Sequence, residues 1–154
     1  MITYRYVTIM RRILIIILSV LSVVTVCAQS TRTYYWESNI KFFTGVPEIE
    51  EAECDDCGIK VYYNSQGKAT KVTYFENGEL MNTDKIRYIG KEDGSSVYEV
   101  LGRFGTGTHS AHHYYINNNS VLKVHYQFVL DGPFSTEGHF TDTPSFAFKY
   151  VRKQ

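Results

Sequence analysis

The sequence predicts an all-β protein, an antiparallel meander of eight or nine strands that forms a closed or partly open barrel or folds as a two-sheet sandwich. Three observations predict it. Apolar residues recur at every second position along most of the chain. Turn-forming residues sit between these runs. After residue 28 the chain has eleven Tyr, nine Phe and one Trp, with many Val and Thr and little Leu or Ala. Branched and aromatic side chains suit a pleated, half-buried surface.

The first alternating run is Tyr34, Trp36, Ile40 and Phe42, and the second is Ile59, Val61 and Tyr63. Asn64-Ser65-Gln66-Gly67 separates the second from Thr70, Val72 and Tyr74. Asn77-Gly78 then signals a hairpin, because both residues tolerate positive φ. Ile86 and Tyr88 follow, and after Asp93-Gly94 come Val97, Glu99 and Leu101. A sixth run lies between Gly105-Thr106-Gly107 and Asn117-Asn118-Asn119-Ser120. The clearest alternation is Leu122, Val124, Tyr126, Phe128 and Leu130 against Lys123, His125 and Gln127. This predicts an inward face on the first set and a solvent face on the second. A short strand is expected around Phe134 to Phe140, bounded by Asp131-Gly132-Pro133 and Asp142-Thr143-Pro144. Phe146, Phe148 and Tyr150 form the last run. Val46 to Gly58 is the least regular stretch, with a short helix or a long loop expected.

Many short strands in one small domain must curl, and closure removes exposed edges. The arrangement resembles a small lipocalin-like barrel. Val61-Tyr62-Tyr63-Asn64-Ser65-Gln66-Gly67-Lys68 and Tyr74-Phe75-Glu76-Asn77-Gly78-Glu79-Leu80 also resemble the tyrosine and Asn-Gly hairpin repeats of some bacterial surface proteins.

Residues 1–28 read as a signal peptide, leaving 29–154 as a single all-β domain. Arg11-Arg12 precedes an uncharged run from Ile13 to Val26. As a helix that run spans about 21 Å, short of a roughly 30 Å hydrocarbon core. Val26-Cys27-Ala28 resembles a signal-peptidase site, with cleavage before Gln29. A retained anchor and lipidation at Cys27 are the alternatives. Cleavage places the domain in the periplasm, the cell envelope or the medium, with no membrane span left.

After residue 28 the chain carries thirteen Lys and Arg against sixteen Asp and Glu. A general nucleic-acid binder would show a basic stripe, so that class is not expected. Cys54 and Cys57 form a CxxC flanked by Glu48, Glu50, Glu51, Glu53, Asp55 and Asp56. Negative flanks raise a thiol pKa, so a structural disulfide is expected rather than a redox centre. A Gly-x-Ser-x-Gly elbow and an HExxH helix are both absent from the sequence, and no catalytic residue or cofactor is assigned. The five histidines are His109, His112, His113, His125 and His139. A two- or four-residue turn at Asn117–Ser120 makes paired positions sum to 237, which sets His112 opposite His125. Directly opposed side chains lie about 5 Å apart, so these two are the weak metal candidates, on a face expected to meet solvent.

Tyr115, Leu122, Val124, Tyr126, Phe128, Phe146 and Phe148 are the candidates to line a ligand cavity or fill the core. The leading expectation is an exported, non-catalytic domain that binds a small apolar ligand or an envelope protein. A structural or interaction module with a filled core comes second, and a small secreted hydrolase third. A barrel of about eight strands can be filled or can hold one ligand.

Overall fold

The computed structural model describes residues 30–42, 46–102 and 111–153. Residues 1–29, expected to hold the signal peptide, lie outside these residues, as do Gly105-Thr106-Gly107 and His109. Nine antiparallel strands form one meander-like sheet: β1 (Ser30–Lys41), β2 (Glu48–Glu51), β3 (Cys57–Tyr63), β4 (Ala69–Glu76), β5 (Glu79–Glu92), β6 (Ser95–Leu101), β7 (His112–Ile116), β8 (Ser120–Leu130) and β9 (Gly138–Val151). No helix occurs among the described residues, so none is long and apolar enough to cross a membrane.

The sheet closes on β1. One edge of β1 pairs with β3 through Ser30↔Tyr63 to Tyr35↔Gly58, and then with β2 through Ser38↔Glu51 to Lys41↔Glu48. The other edge pairs with β9 from Tyr35↔Val151 to Lys41↔Phe146. β1 and β3 to β9 therefore form a ring of hydrogen bonds, and β2 stands outside it as an edge strand. β2 lies in the stretch expected to hold a helix or loop. Its sequence, Glu48-Ile49-Glu50-Glu51, is wholly exposed, so no buried face announced a strand.

Two hairpins owe their tightness to residues with positive φ. Asn77 and Gly78 have φ of 50° and 81°, and Asp93 and Gly94 have 46° and 79°. Both central residues are left-handed, as a two-residue turn matched to strand twist requires. The turns at Asn64–Lys68, Asp93-Gly94 and Asn117–Ser120 gather at one end of the ring, here the near end. The β4–β5, β6–β7 and β8–β9 connections lie at the far end. The expected short strand around Phe134–Phe140 is absent as a separate element. Its last residues open β9, which runs unbroken past Pro144. Pro144 pairs with Tyr126 where the register shifts on both sides, and a bulge tolerates the missing N–H.

The near half of the ring holds an apolar cluster, and a polar pocket of about 690 Å³ opens at its end between Arg32, Tyr63, Tyr98 and Asn118. Tyr34, Ile59, Val61, Val72, Tyr98 and Val121 are buried there in one cluster with Tyr63, Ile86, Ile116 and Tyr150. The buried hydroxyls are satisfied: Tyr34 donates to the Asn117 carbonyl at 3.0 Å, and Tyr98 accepts from the Ala69 N–H at 3.1 Å. Such pairing matters because an unpaired buried hydroxyl costs about 1–3 kcal/mol.

The orientation of β8 reverses the expectation. Val121 and Lys123 face the interior, with Tyr114 and Ile116 opposite them. Leu122, Val124 and Tyr126 face outward, together with Tyr115. Val124 is buried nonetheless. Phe128 and Leu130 are about half exposed. They lie where β8 outruns β7 and pairs with β9 alone.

Candidate functional site

The far half of the ring is where polar chemistry is concentrated. β6 ends at Leu101, opposite Lys85, and β7 begins at His112, opposite His125. β5 and β8 run on past these ends, paired with β4 and β9 respectively. Among the described residues Asp84 lies beside the end of β6 and the His112–His125 pair at the start of β7.

Asp84 gathers three donors. Tyr114 donates to Asp84 Oδ2 at 2.5 Å, Lys123 Nζ at 2.9 Å and Tyr74 at 3.4 Å. Lys123 also donates to the Tyr74 hydroxyl at 2.5 Å, and the Tyr74 and Tyr114 hydroxyls bond each other. The ammonium lies 4.7 Å from the Tyr74 ring centroid and 5.3 Å from that of Tyr114. Burial pushes the Asp84 carboxyl up, but the Lys123 charge and the Tyr114 and Lys123 hydrogen bonds outweigh it and hold it below its usual range. Burial also pulls the Lys123 ammonium down against the pull of Asp84. The two side chains form an ion pair, Lys123 Nζ lying 2.9 Å from Asp84 Oδ2. Burial drives the phenols of Tyr74, Tyr114 and Tyr150 upward, so all three stay protonated donors.

The register pairs His112 with His125, and their ring centroids are 4.0 Å apart. The solvent-facing expectation fails: both rings are half buried and face the interior, on the side of Lys123. His125 stacks on Phe146 at 4.2 Å and meets Phe148 edge-on at 5.4 Å. Its Nε2 has no hydrogen-bond partner among the described residues. Burial, aided by Lys123, lowers His112 to about 4; burial, aided by His112 and Lys123, lowers His125 to about 3. Among the described residues no three His, Cys, Asp or Glu side chains are grouped to hold a metal ion.

These shifts set a pH dependence. A histidine at about 6.5 unfolded and about 4 or 3 folded takes up protons in the unfolded chain first. The urea midpoint should hold steady between about pH 7 and 9, fall from about pH 6.5 toward 4, and fall further as Asp84 is protonated below its usual value. Replacing His125 with Phe should flatten the upper part of that fall. A midpoint equal at pH 7 and pH 4.5 would show that the rings are not desolvated.

Above this network the ring opens into a cup of about 500 Å³. Trp36, Tyr74, Phe148 and Tyr150 form its aromatic wall, Lys123 reaches it, and Met81 and Asn82 stand at its rim. Cys54 and Cys57 also line it, at disulfide distance with Cα atoms 5.6 Å apart. Trp36 is fixed by an Nε1 hydrogen bond to Asn39 at 3.2 Å and by Phe148 edge-on at 6.1 Å.

The other candidates are dispersed. Tyr115, Leu122, Val124 and Tyr126 line a separate outer groove of about 770 Å³. Phe146 backs His125 without lining either cavity, and Phe128 packs only on Phe140 at 5.2 Å. Glu99 opposes His113 on the outer face, where the Arg87 guanidinium takes its Oε1, and neither residue lines the cup or the groove. Sequence reasoning missed Asp84 and Tyr114. Alternation could have found Asp84, because it shares a face with Ile86 and Tyr88.

No family model, curated protein or solved structure matches the chain.

Proposed function

We propose that this is an exported, non-catalytic domain of the bacterial envelope that binds a small, largely apolar ligand. The observation that carries the reading is the aromatic cup, whose volume falls within the range of ligand pockets. Its apolar wall and its few polar groups, Lys123 and Tyr74 at the base with Glu76 and Asn82 beside them, match the usual division between affinity and orientation. Asp84 neutralises Lys123, so the base favours an uncharged ligand with a hydrogen-bonding oxygen over a strong anion. Export rests on the sequence of residues 1–28.

Trp36 is the only tryptophan in the chain, so its emission reports on the cup. N-phenyl-1-naphthylamine should quench it saturably at micromolar concentration. Phe148→Ala should weaken that binding at least tenfold while leaving the far-UV circular dichroism unchanged. Native mass spectrometry of protein purified from its own host should show a chain beginning at Gln29 with a retained small mass. Absence of both saturable quenching and a retained mass would overturn the ligand reading.

The second reading, an interaction module, is favoured by the β8–β9 extension. Phe128, Val129 and Leu130 are exposed along it, and Phe134 at its tip is 98% exposed.

A further inference from the structure

We infer that the outer groove is a docking site for a basic, apolar-bearing segment of another polypeptide. The groove crosses the outer face of β6 to β9 and β1, away from the cup. Its floor is Tyr115, Leu122, Val124 and Tyr126, and its far wall is Ile40 and Ile49. Among the described residues four carboxylates line it, those of Glu37, Glu92, Asp93 and Asp142, with Lys149 the one ammonium. Lys149 is already taken by Glu37 at 2.6 Å. Among the described residues none of Glu92, Asp93 and Asp142 is ion-paired.

Charge complementarity selects the occupant. Three carboxylates without a cationic partner, of which Glu92 accepts from the Tyr115 hydroxyl, repel an anionic lipid surface and a polyanion. A small inorganic cation leaves the floor unused. A second copy of this chain, with more acidic than basic residues after residue 28, brings the wrong sign. An extended segment alternating Lys or Arg with aliphatic residues satisfies both, its cations on the rim and its apolar side chains on the half-buried Leu122 and Tyr126. At about 770 Å³ the groove holds a few residues of such a segment.

Fluorescence anisotropy of the purified protein with labelled eight-residue peptides tests this. A Lys/Leu alternating peptide should bind, more weakly as salt rises, and a Glu/Leu peptide should not. The triple variant Glu92→Gln, Asp93→Asn, Asp142→Asn should weaken binding at least tenfold. Asn tolerates the positive φ at position 93, so this variant is expected to fold. Leu122→Ser should weaken the Lys/Leu peptide while leaving a Lys/Ser peptide unaffected. Equal binding by the triple variant, or equal affinity for Lys/Ser and Lys/Leu peptides, would overturn the inference. So would self-association, by analytical ultracentrifugation, that the triple variant abolishes. Binding of N-phenyl-1-naphthylamine in the cup should be unchanged by these substitutions, so the two sites fail or stand separately.

Discussion

Lys123→Asp should unfold the domain or lower its melting temperature by about 10–20 °C. The Lys123 and Asp84 side chains are only 10% and 15% exposed. Removing one partner of a buried ion pair costs about 3–5 kcal/mol, because the other charge stays buried without compensation. A second carboxylate against Asp84 adds like-charge repulsion. Total stability of a domain this size is about 5–15 kcal/mol, and each kcal/mol is worth a few degrees. The double variant Asp84→Asn, Lys123→Met separates charge from position. It removes both charges while keeping much of the volume, and should recover most of the loss. Thermal melts of the three proteins check this. A Lys123→Asp melting point within 2 °C of the parent would show that Lys123 faces water, as its polarity alone suggests.

Gly58→Ala should cost about 3 kcal/mol, a large effect for one methyl group. A Cβ at position 58 would sit 2.2 Å from the Tyr34 carbonyl oxygen and 2.7 Å from Phe75 Cζ. The Phe75 ring lies across the glycine and is held edge-on by Tyr35 at 5.7 Å. Overpacking costs about 1–3 kcal/mol where neighbours can shift, and more where they cannot. Tyr34 is in the β1–β3 ladder, so its carbonyl cannot give way without breaking the ring. Adding Phe75→Ala to Gly58→Ala should therefore not restore stability. Gly138→Ala makes similar clashes, 2.4 Å from the Val129 carbonyl oxygen and 2.7 Å from Phe128 Cζ. Its hairpin pairs only with itself beyond the bulges, so the ring should survive and the loss should be smaller. Urea midpoints of Gly58→Ala and Gly138→Ala rank the two positions, and equal midpoints would contradict the distinction.

Apart from β2 and the start of β9, the strands and turns were legible in the sequence because alternation and turn chemistry agree. The β7–β8 register followed from Asn117, whose side-chain Oδ1 accepts from the N–H groups of Asn119 and Ser120 at 2.9 and 2.8 Å. That local constraint fixes which residues oppose each other but not which side of the sheet is inside. β8 carries apolar residues on both faces, and the decisive one, Lys123, is inward only because Asp84, Tyr74 and Tyr114 wait there. Those partners come from β4, β5 and β7, separations at which single-strand patterning has no reach. Phe128 and Leu130 continue the alternation past the end of β7, where one side of the pattern has nothing left to pack on. The cup was illegible for the same reason, since its wall is assembled from β1, β4 and β9.

Ring closure by β1 carries a kinetic consequence. Trp36 pairs with Tyr150, so the seam joins segments from opposite ends of the described chain. Every other ring contact forms between strands close in sequence, except the β1–β3 ladder across the β2 excursion. Non-local pairing is slow, because loop entropy is lost before contacts compensate for it. The hairpins from β3 to β9 can form as each is synthesised, while one edge of β1 waits for β9. Until then β1 presents unpaired N–H and C=O groups beside Trp36 and Ile40, an edge open to any passing strand. The last step of folding is therefore also the step at which misassembly competes, and a chain truncated before β9 would keep that edge open permanently.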